Sequence, residues 1–86
     1  MFARAIAVEF RDRNIRSNAI CPGLIQTKFS EALWSNDKIM SMVMKQLAIK
    51  RAGTSEEIGA LALFLASSAS SYSTGSVFTA DGGFTI

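Results

Sequence analysis

The 86-residue sequence has no histidine and a single cysteine, Cys21. Without histidine no Ser-His-Asp triad or histidine-based metal site can be built, and one thiol with no histidine partners is a poor zinc ligand set. A lone cysteine cannot close an internal disulfide, so the cytoplasm is the expected compartment. No apolar run reaches the roughly 18 residues of a membrane span. The start Met1-Phe2-Ala3-Arg4-Ala5-Ile6 does not resemble a leader, because acids and bases follow within a few residues. Charge of one sign never gathers: nine Lys and Arg are interleaved with seven Asp and Glu, leaving a net charge of +2 and no basic stripe. Neither nucleic acid nor a membrane is expected as a partner.

What the chain does have is apolar residues, at 49%, with six Phe and four Met spread along it. A chain this short buries only about 60–65% of the surface its unfolded form exposes, so it carries more apolar surface than it can hide. Phe2, Ile6 and Phe10 fall four apart, with Ala3 and Ala7 beside them, which predicts an amphipathic helix through Arg13. No Ser, Thr, Asp or Asn precedes Phe2 as a cap, so the helix is expected to start upstream of Met1.

After Asp12-Arg13-Asn14, residues Ile15 to Cys21 read as a strand ended by Pro22-Gly23. Leu24 to Trp34 has no clean period and reads as loop with one helical turn at most. Met40, Val43, Met44 and Leu47 repeat at helical spacing behind Ser35 or Asn36 as cap, predicting a helix over 37–47. Thr54-Ser55-Glu56-Glu57 is a capping box ahead of Ile58, Leu61, Ala62 and Leu65, the best-defined helix of the chain. The serines of 67–73 suit a surface connection, and Ser76 to Ala80 alternates as a strand before Asp81-Gly82-Gly83 turns the chain. Cys21 reads as a small buried strand residue. Glu56 and Glu57 sit in a helix's first turn, where they favour the dipole, and read as structural.

Two strands separated by roughly fifty residues of helix and loop are the halves of a parallel crossover. The fold class is therefore α/β. A two-stranded parallel sheet leaves both outer edges unpaired, so a homo-oligomer partner or a preceding N-terminal portion is expected to cover one.

Read together, Ala7-Val8-Glu9, Ile15-Arg16-Ser17-Asn18-Ala19-Ile20, Pro22-Gly23-Leu24-Ile25-Gln26-Thr27, Arg51-Ala52-Gly53, Glu56-Glu57-Ile58 and Tyr72-Ser73-Thr74-Gly75 with Asp81-Gly82-Gly83 resemble the C-terminal part of short-chain dehydrogenase/reductases. The resemblance implies the C-terminal portion of a Rossmann-type parallel sheet, two parallel strands with about three helices, forming one partial domain over 1–86. It implies an NAD(P)-dependent oxidoreductase interconverting alcohol and ketone, with NAD or NADP as cofactor. Asn18, Pro22, Gly23, Ile25 and Thr27 would form the nicotinamide-end segment, the Ile25 backbone meeting the carboxamide and the Thr27 hydroxyl the carboxamide or pyrophosphate. Ligands of such sheets sit outside the carboxyl ends of the strands. Thr27 could equally cap a helix, since Ser30 and Glu31 follow. Residues 28–50 would be the substrate lid, with Phe29, Leu33 and Trp34 toward an apolar substrate, and Met40 and Met44 there or in an ordinary core stripe.

The sequence departs from the family in its catalytic parts. Tyr72 is the only tyrosine and has Ser76 four positions on where the family's acid needs a lysine, so the resemblance gives it a structural role near the turn into the last strand. The family's Tyr-x-x-x-Lys would end just before Met1, and no glycine spacing here forms a phosphate loop. The chain alone is expected to be inactive. The alternative is a non-catalytic module that works by association, through the capping-box helix and the last strand.

Overall fold

The computed structural model describes residues 1–86. Helix α1 (Phe2–Glu9) is followed by a single 3-10 turn, Arg11–Arg13, and β1 (Ala19–Pro22). Next come a two-residue strand β2 (Ile25–Gln26), a one-turn helix α2 (Glu31–Trp34), α3 (Asp37–Met44), a second short strand β3 (Gly53–Thr54), α4 (Ser55–Ala66), another 3-10 turn at Ser68–Ser70 and β4 (Val77–Ala80). Strands β1 and β4 pair in parallel, Ala19 opposite Val77 through Pro22 opposite Ala80. This is the expected crossover. A second parallel pair, Ile25 opposite Gly53 and Gln26 opposite Thr54, was not expected, whereas the one-turn α2 is the helical turn allowed for in the 24–34 segment.

The expected elements differ from the observed ones for local reasons. Helix α1 stops at Glu9 because Asn14 adopts a left-handed conformation (φ 54°), which the chain reaches through the tighter 3-10 turn. The strand begins at Ala19, since residues 16–18 are engaged otherwise. Ser17 N–H donates to Thr74 Oγ1 (3.1 Å), while Asn18 donates to Ser73 O (3.0 Å) and accepts from Ser76 N–H (3.1 Å). Strand β1 ends at Pro22-Gly23 as expected, with Pro22 as its last residue and the Gly23 amide making the final ladder bond. Ala19 and Gly23 N–H donate to Ser76 and Ala80 carbonyls, so the even positions of β1 face the free edge, and Pro22 loses no ladder bond there.

The capping box forms as expected: Thr54 accepts from Glu57 N–H, and Glu57 accepts from Thr54 N–H. Asn36 caps α3, accepting from Lys38 and Ile39 N–H. Phe64 of α4 packs edge-on against Phe78 of β4, ring centroids 6.4 Å apart, which covers one face of the sheet. The other face, with Cys21 and Thr79, is open, so Cys21 is exposed rather than buried. The 67–73 connection also differs from a plain surface loop. Ser70 is the most buried residue (2% exposed), and Arg16 reaches into this turn from the segment just ahead of β1.

Only Ala3, Ala7, Leu47 and Ser70 are buried. The chain exposes 6418 Å², against about 5000 Å² for a compact monomer of this mass. Its radius of gyration is 15.6 Å and it extends 50 × 22 × 21 Å, where a compact chain of this length would have about 12 Å. The expected apolar surplus is visible in Phe2, Val8, Phe29, Leu63 and Tyr72, all exposed. No helix is long and apolar enough to cross a membrane.

Candidate nicotinamide-end site

The site grows out of the carboxyl end of β1. Gly23 follows Pro22 directly and lies so close to Asp81, just past β4, that an added Cβ would stand 2.7 Å from Asp81 Cα. Leu24 O accepts from Gly53 N–H (2.9 Å), after which Ile25 and Gln26 pair with β3. The Pro22–Gln26 backbone is thus held between the end of β4 and the entry to α4. Beside it opens a cleft of about 460 Å³, lined by Gly23, Leu24, Leu33, Val43, Leu47 and Phe84 among others. Asp81 is the one charged group on this lining. Its carboxylate is already occupied, accepting from Thr85 Oγ1 (2.7 Å), Gly83 N–H (2.9 Å) and Thr85 N–H (3.2 Å). The Thr85 hydroxyl foremost, then those two amides, holds the Asp81 carboxyl below its usual range. What the cleft offers a ligand is apolar surface and backbone.

Pro22, Gly23 and Leu33 are brought together at this cleft. Ile25 stands just beyond, its carbonyl accepting from the Ser30 hydroxyl. Thr27 takes part in a local turn with Ser30. Ser30 N–H donates to Thr27 Oγ1 (3.3 Å), and Thr27 N–H donates to Ser30 Oγ (3.0 Å). Trp34 donates from Nε1 to Thr27 O (3.0 Å), so the indole braces the turn after β2. Phe29 is fully exposed and Asn18 lies just ahead of the opposite end of β1, both of its amide groups committed to the backbone of 73–76. Neither reaches the cleft. Tyr72 is also fully exposed, and the bonds of its segment are made instead by Ser73, Thr74 and by Gly75 at φ 71°.

Sequence reasoning missed the part played by Asp81-Gly82-Gly83 and by Arg51. Gly82 O accepts from both Ala48 and Ile49 N–H (2.9 Å each), which ties the end of the 28–50 segment to the end of β4. Gly82 and Gly83 both have positive φ, and Gly83 has Ala48 Cβ within 2.8 Å of where its own Cβ would lie. The adjacency of two glycines after an acid was the available signal. Arg51 grips Glu57 through two bonds of 2.8 Å, one to each carboxylate oxygen.

That grip, with the Thr54 amide second, lowers the Glu57 carboxyl from 4.5 to about 2. Because the folded form holds Glu57 ionised more firmly than the unfolded chain does, its stabilisation is complete above about pH 5 and fades as the pH falls toward 2. Acidification through that window is expected to loosen the β3–α4 junction ahead of α3, and Glu57→Gln to abolish this dependence. Amide exchange at Gly53 and Thr54 as a function of pH reads the effect.

The whole chain is similar to known proteins. Residues 1–85 match the profile of the family described as Enoyl-(Acyl carrier protein) reductase. A 3-oxoacyl-(acyl-carrier-protein) reductase of Chlamydia pneumoniae is 42% identical over 84 residues, 98% of this chain and 33% of the relative. Among solved structures, a 4-hydroxyisoleucine dehydrogenase complexed with NADH superposes with a TM-score of 0.94 at 36% identity, over 98% of this chain and 35% of that one. A putative 2-deoxy-D-gluconate 3-dehydrogenase from Agrobacterium tumefaciens with bound NADP gives 0.92 at 34% identity, over 96% and 34%. The chain spans about a third of the length of the relatives it matches.

Proposed function

The chain belongs to the short-chain dehydrogenase/reductase family, and from that premise we propose that its Pro22–Thr27 segment forms the nicotinamide-end contact of an NAD(P)-dependent oxidoreductase interconverting an alcohol and a ketone. The observation that carries the reading is the position of Pro22, Gly23 and Leu24 at the carboxyl end of a parallel strand, on the wall of an apolar cleft. Strand ends of such sheets are where ligands gather, because backbone groups there are not consumed by the ladder.

The residues fit one end of the cofactor. The Ile25 carbonyl keeps a second lone pair beyond its bond from Ser30, and Thr27 offers a hydroxyl within the same turn, so an amide-bearing ring has polar partners against an apolar wall. When bound, the cofactor supplies the hydride chemistry. Gly23, Ile25 and Thr27 orient its ring, and Leu33 and Val43 exclude water from one side. The phosphates have no counterpart here, since no glycine-rich loop opens a helix. With neither that loop nor a Tyr-x-x-x-Lys, the chain alone is expected to bind the cofactor weakly and to give no turnover.

The single Trp34, bonded to Thr27 O, is a built-in reporter. Titration with NADH is expected to quench Trp34 emission saturably while exciting the dihydronicotinamide. Quenching that rises linearly without saturation overturns the reading. A second reading, a non-catalytic association module, draws on the surplus of exposed apolar surface, including Leu63 and Phe64 on α4 and Val77 on β4. Oligomer formation with no nucleotide response favours it.

A further inference from the structure

The β2–β3 pair is only two residues long in each strand, below the length at which a ladder holds itself. Beside it opens a pocket of about 160 Å³, lined by Ile25, Gly53 and Ile58 and by Arg51 and Glu57. One carboxylate makes up the difference. Glu57 Oε1 accepts from Thr54 N–H (2.9 Å) and from Arg51 Nη1 (2.8 Å), and Oε2 accepts from Arg51 Nη2 (2.8 Å). Arg51 and Thr54 bracket Gly53, whose N–H reaches across to Leu24 O. The planar fork of arginine fixes both oxygens at once, which a lysine could not do.

From this geometry we infer that Arg51 and Glu57 form a latch that fixes the Leu24–Gln26 backbone against the start of α4, and that both are positioning residues for the nicotinamide-end contact; the second half rests on the function proposed above. Neither residue lies on the lining of the cleft beside Pro22–Leu24. The pair acts through β3, whose only strand neighbour is β2. Arg51 is separable from the cap of α4, because the mutual bonds of Thr54 and Glu57 do not require it.

The test compares the full chain with Arg51→Gln and Arg51→Lys by hydrogen-exchange mass spectrometry, with and without NADH. For Arg51→Gln, exchange at residues 53–54 is expected to rise roughly threefold, in keeping with an exposed ion pair. Half-saturation by NADH should weaken by a similar factor, while exchange over residues 58–66 stays as it was and Arg51→Lys recovers part of both losses. Unchanged exchange at 53–54, or an equal rise along the whole of α4, overturns the latch. If NADH leaves the unsubstituted chain unaffected, the proposed function fails while the exchange readout still decides the latch.

Discussion

Arg16→Met is expected to lower the midpoint of thermal unfolding by roughly 10–20 °C, a loss of about 2–4 kcal/mol in a chain of this size. The half-buried guanidinium donates to Ser70 O and Oγ (2.9 Å each), Leu65 O and Ser67 O (3.2 Å each) and Ser73 O (3.4 Å). These carbonyls belong to the end of α4 and the turn after it, where helix carbonyls have no partner of their own and the helix dipole favours a cation. No other side chain ties the entry of β1 to the exit of α4 with comparable density. Methionine keeps much of the apolar stem and removes every donor, so the carbonyls around Ser70 lose their charged partner. Lysine should restore part of the loss, since it keeps the charge but not the fork. Arg13→Met, on an exposed turn, should stay within about 0.5 kcal/mol. Calorimetry of the three variants decides the matter.

Gly23→Ala is expected to cost about 1–3 kcal/mol, because the new methyl group must displace backbone rather than a flexible side-chain end. Its Cβ would lie 2.7 Å from Asp81 Cα and 2.8 Å from Asp81 Cβ. Relief requires parting the end of β1 from the end of β4, where Gly23 N–H now reaches Ala80 O (3.1 Å). The loss should therefore appear as faster amide exchange at Gly23 and as a weaker NADH response. Gly59 gives the contrast. It lies within α4 with nothing inside 4 Å of a built Cβ, and alanine there should stabilise by about 0.5–1 kcal/mol. Equal effects at the two glycines would contradict the account.

These two residues also mark how far the sequence could be read. The parallel crossover, the capping box and the Asn36 cap follow from periodicity and hydroxyl placement, which are local signals, and the structure carries all three. Pro22-Gly23 was legible as a boundary, but not that Pro22 stays inside the ladder, because the edge its nitrogen faces depends on which residues of β1 donate to β4. The β2–β3 pair was illegible for another reason: two residues have no period, and partners 28 positions apart leave no local trace. Cys21 was read as buried from its strand alone, yet burial requires a layer over that face, and α4 covers the other one. Arg16 looked like one of nine scattered cations. Its environment, carbonyls gathered from residues 65–73, exists only once α4 has turned back on β1.

At the candidate site, Pro22, Gly23 and Leu33 converge as a line of sequence would suggest, while Asn18 and Phe29 do not. Asn18 lies four positions before Pro22, just ahead of the first residue of β1. A motif written as one string can thus hold a structural clamp at one end and the wall of a cleft at the other.

The nicotinamide-end assignment is tested most directly by site-resolved amide shifts of the full chain titrated separately with reduced nicotinamide mononucleotide and with adenosine monophosphate. The account predicts saturable shifts at Gly23 to Thr27 and at the Trp34 indole with the first, and none there with the second. Shifts at those residues with the adenine nucleotide alone, or with neither, would contradict it.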